Sequence, residues 1–111
     1  MATDVPAGDA PLAIDLETLT QVAEQGIVSR VVVENEHHKL VHFTFAPGQE
    51  LSEHTAAVPA VIQVLAGEGS VRLGDESHVA RGGMLFYLTS GLRHAVRADG
   101  ELTMLLTLFK T

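Results

Sequence analysis

Two isolated histidines are the residues of this sequence best suited to bind a metal or transfer protons. His54 stands in the stretch PGQELSEHTAAVPAVIQVLAGEG (residues 47–69), and His94 ends the stretch GMLFYLTSGLRH (residues 83–94). Imidazole ligates transition metals and exchanges protons near neutral pH. The chain has no cysteine, which excludes disulfides and thiolate metal sites, so any metal would need His, Asp or Glu ligands.

The other histidines stand in less informative positions. His37 and His38 fall in a polar turn between two apolar stretches, which predicts that both are solvated. His78 follows a Gly-Asp turn and is expected on the surface of a strand. His42 lies inside an apolar stretch, where it shares a predicted strand with two phenylalanines.

Length and charge narrow the class of protein. A chain of 111 residues forms one domain that can bury a core without disulfides or structural metals. The net charge of −7 argues against nucleic acid or an anionic membrane as partner. The first residues lack the basic and apolar regions of a signal peptide, and no apolar run approaches the ~20 residues of a membrane span. We therefore expect a cytoplasmic protein that does not associate with membranes.

The elements that would position the histidines are short strands. Apolar stretches separated by Gly, Pro, Asn or Asp predict about nine of them, and this spacing is typical of an all-β sandwich or closed barrel. The predicted strands cover residues 29–34, 39–46, 51–54, 60–66, 70–73, 76–80, 84–88, 94–98 and 102–109. A turn at Gly67–Gly69 separates the fourth from the fifth, and a turn at Asp99–Gly100 separates the last two.

The N-terminal part differs from the rest. Residues 1–11 have the composition of an extended arm, and residues 15–25 have helical spacing of Leu16, Leu19, Val22 and Ala23. Asp15 would cap this helix and Gly26 would end it. The sequence thus predicts an N-terminal arm and short helix over residues 1–26 and a β-barrel domain over residues 27–111.

Two predicted strands are apolar on both faces, namely Ala60–Ala66 and Leu102–Phe109. An antiparallel strand in a small barrel usually exposes one face to water. These strands therefore need cover from outside, either by the N-terminal segment or by a second subunit. We expect a homodimer.

The two histidine blocks together resemble the cupin motifs. The first cupin motif reads Gly, five residues, His-x-His, three residues, Glu, six residues, Gly; here Gly48, His54 and Gly67 match it. The second motif reads Gly, five residues, Pro-x-Gly, two residues, His, three residues, Asn. Gly91 and His94 match it after Gly83. The chain is similar to small single-domain cupins (the cupin-2 conserved barrel, RmlC-like jelly roll family) from about Lys39 to Phe109. The resemblance implies a double-stranded β-helix.

The sequence departs from these motifs at two ligand positions, which affects whether the chain can bind a metal. In metal-binding cupins the ligands are both histidines and the glutamate of the first motif and the histidine of the second. The resemblance therefore implies that His54 and His94 are metal ligands, whereas Ala56 and Ala60 replace the other two. A tight first-row metal site normally needs at least three protein ligands. The candidates for the third are His42, His78, Glu50 and Glu53, of which His42 is preferred because it shares the strand 39–46 with Thr44 and Ala46. The alternation leaves open whether this face turns inward, since Phe43 and Phe45 compete for the interior.

Strand parity predicts the lining of a pocket around the two histidines. The predicted lining consists of Thr44, His54, Ala56, Ala60, Ile62, Val64, Met84, Phe86, His94 and Val96. Such a cavity is apolar with a few polar points, as small-molecule sites are. A barrel filled by its own side chains is the alternative interpretation.

The sequence leaves several functions open. The preferred hypothesis is a small cupin that binds a small molecule in an apolar cavity bearing His54 and His94, with an incomplete set of metal ligands and no certain cofactor. The alternative is a metal-dependent oxygenase or isomerase, in which a divalent transition metal (Fe, Mn, Ni, Cu or Zn) is held by both histidines and a third ligand such as His42. A third hypothesis is metal-free acid–base catalysis by the two histidines. A fourth is a purely structural role. Whether the protein is an enzyme stays undecided.

Overall fold

Seven antiparallel strands make up the fold in the part of the chain that the structure describes. The computed structural model describes residues 8–21 and 24–110. The strands are β1 (Ile27–Glu34), β2 (His38–Phe45), β3 (Glu50–Thr55), β4 (Ala60–Leu73), β5 (Glu76–Arg81), β6 (Leu85–Leu88) and β7 (Arg93–Phe109). The main order is β1-β2-β7-β4-β5, while β3 pairs with β7 and β6 pairs with β4. The predicted all-β jelly roll is confirmed.

The long strands β4 and β7 belong to both halves of the barrel. They pair with each other from Ala60↔Leu108 to Leu73↔His94. The first part of β4 pairs with β6 and its second part pairs with β5. Likewise, β7 pairs first with β3 and then with β2. One half is therefore β1-β2-β7-β4-β6, the other is β3-β7-β4-β5, and both halves contribute to one core.

The Gly67–Gly69 and Asp99–Gly100 stretches are not the turns that the sequence predicts. Both lie inside continuous strands, so two pairs of predicted strands merge and nine become seven. The pairing of β4 with β7 shifts register between Gly67 and Gly69. A Cβ added at Gly67 would overlap the Glu101 carbonyl oxygen and lie 2.8 Å from the Cα of Leu102. Gly67 and Gly69 let the backbones of β4 and β7 approach closely where both strands bend.

The barrel interior is filled with apolar side chains. The core consists of Phe45, Ala60, Ile62, Val64, Val71, Ala80, Phe86, Leu88, Val96, Ala98, Leu102 and Met104. Each of these side chains is at most 5% exposed. They alternate along their strands with residues of the outer face, as the period of two requires.

The N-terminal segment forms less helix than the sequence predicts. A single 3-10 turn covers Leu16–Leu19, and the Asp15 side chain caps it by accepting a hydrogen bond from the backbone N–H of Glu17. The chain is extended at Thr20, while Val22 and Ala23 of the predicted helix lie outside the described residues. A helix this short is marginal in isolation, so tertiary contacts decide the conformation.

Those tertiary contacts are made with the outer face of the barrel. The backbone N–H of Gln21 donates to Oγ1 of Thr44 at 3.4 Å. Thr44 is buried although it points away from the core, since Phe43 and Phe45 occupy the inner face of β2. The N-terminal segment thus supplies some of the outside cover that the apolar strands require. The homodimer and the division at residue 26 stay predictions. Along the described ranges, no helix is both long and apolar enough to cross a membrane.

The bend of β4 predicts a strong effect of Gly67→Ala. Gly67 has φ +96°, and its added Cβ would meet the Glu101 backbone, which has no flexible end to move aside. We expect the free energy of unfolding to fall by more than about 2 kcal/mol. Urea denaturation followed by circular dichroism measures this change.

Gly100→Ala is the matched control for this substitution. No atom lies within 4 Å of a Cβ built at Gly100, and its φ is not in the left-handed region. The control should change the unfolding free energy by no more than about 0.5 kcal/mol. Similar losses in both variants would contradict the close approach of β4 and β7.

Candidate functional site

His54 and His94 lie side by side at one end of the barrel. They are cross-strand partners in β3 and β7, and their ring centroids are 4.2 Å apart with the ring planes inclined by 60°. His54 shares a face with Leu51, although the two are three residues apart, because the register of β3 shifts between them. Such a bulge turns a side chain that would alternate outward back toward its partner. The structure therefore brings together the two histidines that the sequence singled out.

Hydrogen bonds to the backbone determine the tautomer of both rings. Nδ1 of His54 lies 2.7 Å from the carbonyl oxygen of Ser52, and Nδ1 of His94 lies 2.9 Å from that of Leu92. A carbonyl oxygen only accepts, so each Nδ1 carries a proton and donates. In the neutral ring the lone pair is then on Nε2. Both histidines thus offer Nε2 as a hydrogen-bond acceptor, a base or a ligand atom.

The two imidazoles differ in their exposure. The His94 residue is 6% exposed, whereas His54 is open to solvent. Burial lowers the pKa of His94; the hydrogen bond to the Leu92 carbonyl opposes this effect, and the proximity of His54 adds to it. His94 is therefore neutral at pH 7, with its Nε2 lone pair unprotonated.

The residues beneath the pair are apolar and closely packed. Leu73 of β4 is the cross-strand partner of His94 on its other side, and the next row contains Leu51, Val96 and Val71. Val71 and Val96 are at most 1% exposed, so no solvent-sized space adjoins them. The accessible part of the site is therefore the mouth of the barrel, where the two rings stand over an apolar floor.

The structure separates the predicted pocket residues into groups. The core contains Ala60, Ile62, Val64, Phe86 and Val96, with Met84 packed against it. Half-buried Ala56 lies outside the core, and its carbonyl oxygen accepts from the backbone N–H of Gly91 at 2.8 Å. The space that the sequence places around Ala60, Ile62 and Val64 is thus filled, since each is at most 2% exposed.

His42 and Thr44 do not face His54. The alternation along β2 puts Phe43 and Phe45 in the core and these two side chains on the opposite face. Both are 1% exposed because the N-terminal segment lies over them, and His42 lines a cavity outside the barrel. The sequence left open whether His42 turns inward to join His54 and His94, and the structure places it on the outer face instead. Phe43 and Phe45 occupy the interior because burying their large apolar surface there stabilises the fold more than burying the polar side chains of His42 and Thr44 would.

The remaining candidates for a third ligand are also placed elsewhere. Glu53 forms ion pairs with Arg72 and Arg93 at the surface. His78 is not the surface residue that its turn suggested; it shares the inner face with Ala80, and its ring centroid is 6.0 Å from that of Phe86. Ala80, a small apolar residue two positions later on the same face of the strand, was the sequence signal that could have predicted the inward orientation of His78.

The donor atoms at the mouth do not amount to a tight metal site. Within residues 8–21 and 24–110, no group of three or more His, Asp or Glu side chains is placed to hold a metal ion. Two neutral Nε2 atoms fall short of the three ligands that a first-row metal normally needs. The residues present suit a two-imidazole binding site better than a resident metal.

Comparisons with known proteins agree with this fold. The family model described as "Cupin domain" matches residues 41–109. A conserved protein of unknown function from Streptococcus pyogenes is 21% identical, with a TM-score of 0.83 and coverage of 99% of this chain and 96% of that one. A cupin superfamily protein from Desulfitobacterium hafniense is 19% identical, with a TM-score of 0.83 and full coverage of both chains.

A higher identity occurs in another solved structure. An RmlC-like cupin protein from Desulfovibrio desulfuricans is 28% identical, with a TM-score of 0.70 and coverage of 96% of this chain and 98% of that one. No curated protein sequence matches the chain. The family match covers more than half of the chain and both histidine blocks from Pro47 onward, and the strands have the jelly-roll order that its family name implies. The chain belongs to the cupin domain family.

Proposed function

We propose that this cupin binds a small organic molecule at the mouth of its barrel, where His54 and His94 hold the polar group of the ligand. The observation that carries this proposal is the hydrogen bond from each Nδ1 to a backbone carbonyl, which leaves both Nε2 atoms to act on a ligand. The rings are preorganised, so little side-chain entropy is lost on binding.

The chemistry of the mouth restricts the ligand. Neutral Nε2 atoms accept hydrogen bonds, which favours a ligand that carries hydroxyl or protonated acid groups. Leu51 and Leu73 lie half-buried beside the rings and offer apolar contact to the rest of the ligand. Since the interior beneath is filled, the ligand is expected to be small and to sit across the mouth instead of entering the barrel.

Proton transfer is a second candidate for the same site. It is favoured by the burial of His94, which lowers its pKa and keeps the ring neutral at pH 7. A neutral imidazole can accept a proton from a bound ligand. The metal-dependent alternative needs a third protein ligand, and none of the described residues adds one to the pair.

A thermal-shift screen tests the proposed site. Small hydroxy acids, sugars and aromatic alcohols should include compounds that raise the Tm of the wild-type protein. His54→Ala and His94→Gln should each abolish the shift, because each removes or displaces one Nε2 acceptor. His37→Ala, in an exposed turn, is the matched control and should keep it. Equal shifts in all three variants would contradict binding at the mouth.

Metal analysis of the same protein is an independent test. Protein purified without a metal-affinity tag should contain well below one equivalent of transition metal, because two imidazoles hold a metal only weakly. Elemental analysis measures this content. About one equivalent that survives dialysis would refute the metal-free site and favour the oxygenase or isomerase alternative.

The pKa of His94 predicts how stability depends on pH. Its folded-state pKa is lowered from the usual value of about 6.5, so the unfolded chain binds the proton first as the pH falls. Stability from this group is complete above about pH 6.5 and is lost as the pH falls through the folded-state pKa. The slope for one such group is at most about 1.4 kcal/mol per pH unit.

Two measurements check this prediction. NMR titration should place the His94 pKa below that of a free histidine, and His94→Gln should reduce the loss of unfolding free energy between about pH 7 and pH 5. His42, whose pKa is also lowered by burial and by Arg30, contributes a loss of the same sign that remains in this variant. A His94 titration at or above about 6.5 would show that the ring is not desolvated.

A further inference from the structure

A cavity outside the barrel lies under the N-terminal segment. It has a volume of about 720 Å³ and is bounded on one side by the 3-10 turn and on the other by the outer face of β2, β4 and β7. Its walls include apolar side chains such as Ile14, Leu16 and Leu65. A volume of several hundred Å³ with mainly apolar walls is typical of small-molecule sites.

One polar side chain of this cavity is buried without a partner. His42 lines the cavity and is 1% exposed, and its Nε2 has no hydrogen-bond partner among the described residues. Buried polar atoms are nearly always paired, so an orphaned one calls for a ligand or a bound water. Burial lowers the pKa of His42, and the charge of Arg30 on the adjacent strand acts in the same direction, so the ring is uncharged at pH 7.

The other polar groups of the cavity are predominantly acidic. Asp15, Glu17 and Glu101 line it, and none of these carboxylates forms an ion pair with a described residue. All seven Lys and Arg residues of the chain lie in the described ranges, and none of them lines the cavity. The carboxylates thus lack an ion-pair partner in a protein that already carries a net charge of −7, although the charge of Arg30 reaches the cavity at His42. Such a site attracts cations.

We propose that this outer cavity binds a small organic cation, specifically a primary ammonium that carries an apolar substituent. The ammonium would be held by Glu17 and Glu101, and the substituent would lie against the apolar wall that includes Ile14, Leu16 and Leu65. Polar contact would extend to His42 and Thr103. A bare metal ion fits less well, because within residues 8–21 and 24–110 no three ligating side chains converge and the volume far exceeds that of an ion.

This site is separate from the two histidines at the mouth. His42 lies on the outer face of β2, whereas His54 and His94 lie at the end of the interior. A ligand at one site touches none of the residues named for the other. The two proposals can therefore fail or succeed independently.

Calorimetry with 2-phenylethylamine tests the proposed cation site. This probe combines an ammonium with an aromatic group. The full-length protein should bind it, whereas 2-phenylethanol and 3-phenylpropionate, which match its size but are neutral and anionic, should bind at least about tenfold more weakly. Equal affinity for the three compounds, or no binding of the amine, would overturn the proposal.

Charge-removing variants identify the groups that hold the ammonium. Glu17→Gln and Glu101→Gln should each weaken amine binding about fivefold to tenfold, because a charge-assisted hydrogen bond becomes a neutral one. Glu50→Gln removes the same unit of charge from exposed β3, outside the cavity, and should change the affinity less than twofold. An equal effect of Glu50→Gln would mean that only the net charge matters and would overturn the site.

Substitution of His42 and NMR mapping complete the test. His42→Leu should weaken binding, and His42→Gln should recover part of the affinity because its amide keeps a polar group in the cavity. Amine titration should shift the backbone amide signals of Glu17, Glu101 and Thr103 and leave those of His54 and His94 in place. Shifts confined to the mouth would overturn the proposal. Both glutamates are exposed, so their variants keep the test valid if a His42 variant fails to fold.

Discussion

The pairing of β4 with β7 is the interaction on which the rest of the structure depends. These two strands are hydrogen-bonded along nearly their whole length and bend together, so each contributes to both halves of the barrel. Every other strand pairs, directly or through β2, with one of the two. The bend needs glycine at 67 and 69 because the backbones approach too closely for a side chain. The same pairing places His94 between Leu73 and His54, so the site is a consequence of the register.

Much of this fold could be predicted from the sequence. Most predicted strand boundaries lie close to the observed ones, because Gly, Pro, Asn and Asp favour turns through local backbone and side-chain effects. The glycines at 67 and 69 were misread as a turn, since a residue that permits a turn also permits a close backbone approach, and the sequence does not distinguish the two. The helix over residues 15–25 was overpredicted because helical spacing specifies a possible apolar face, while packing decides whether it forms.

The site was predicted less completely than the fold. The motif spacing identified His54 and His94, but it contained no sign of the bulge between Leu51 and His54 that aligns the two rings. The orientation of His42 stayed open because parity is ambiguous where phenylalanines and a histidine alternate on one strand. Its actual position depends on cover by the N-terminal segment, a contact between residues far apart in sequence. Packing of the N-terminal segment over β2 produces no periodic pattern in the sequence of the N-terminal segment or of β2.

Both mouth histidines donate Nδ1–H to a backbone carbonyl two residues earlier in the chain, Ser52 within β3 and Leu92 just before β7. The acceptor is main chain in each case, so ring orientation and tautomer depend on the backbone at positions 52 and 92 and not on a hydrogen-bonding side chain there. The pair can thus be inherited intact while the side chains around it diverge. The orientation of both rings is therefore specified by the backbone of β3 and of the residues before β7, and a substitution of the exposed Ser52 is expected to leave it in place.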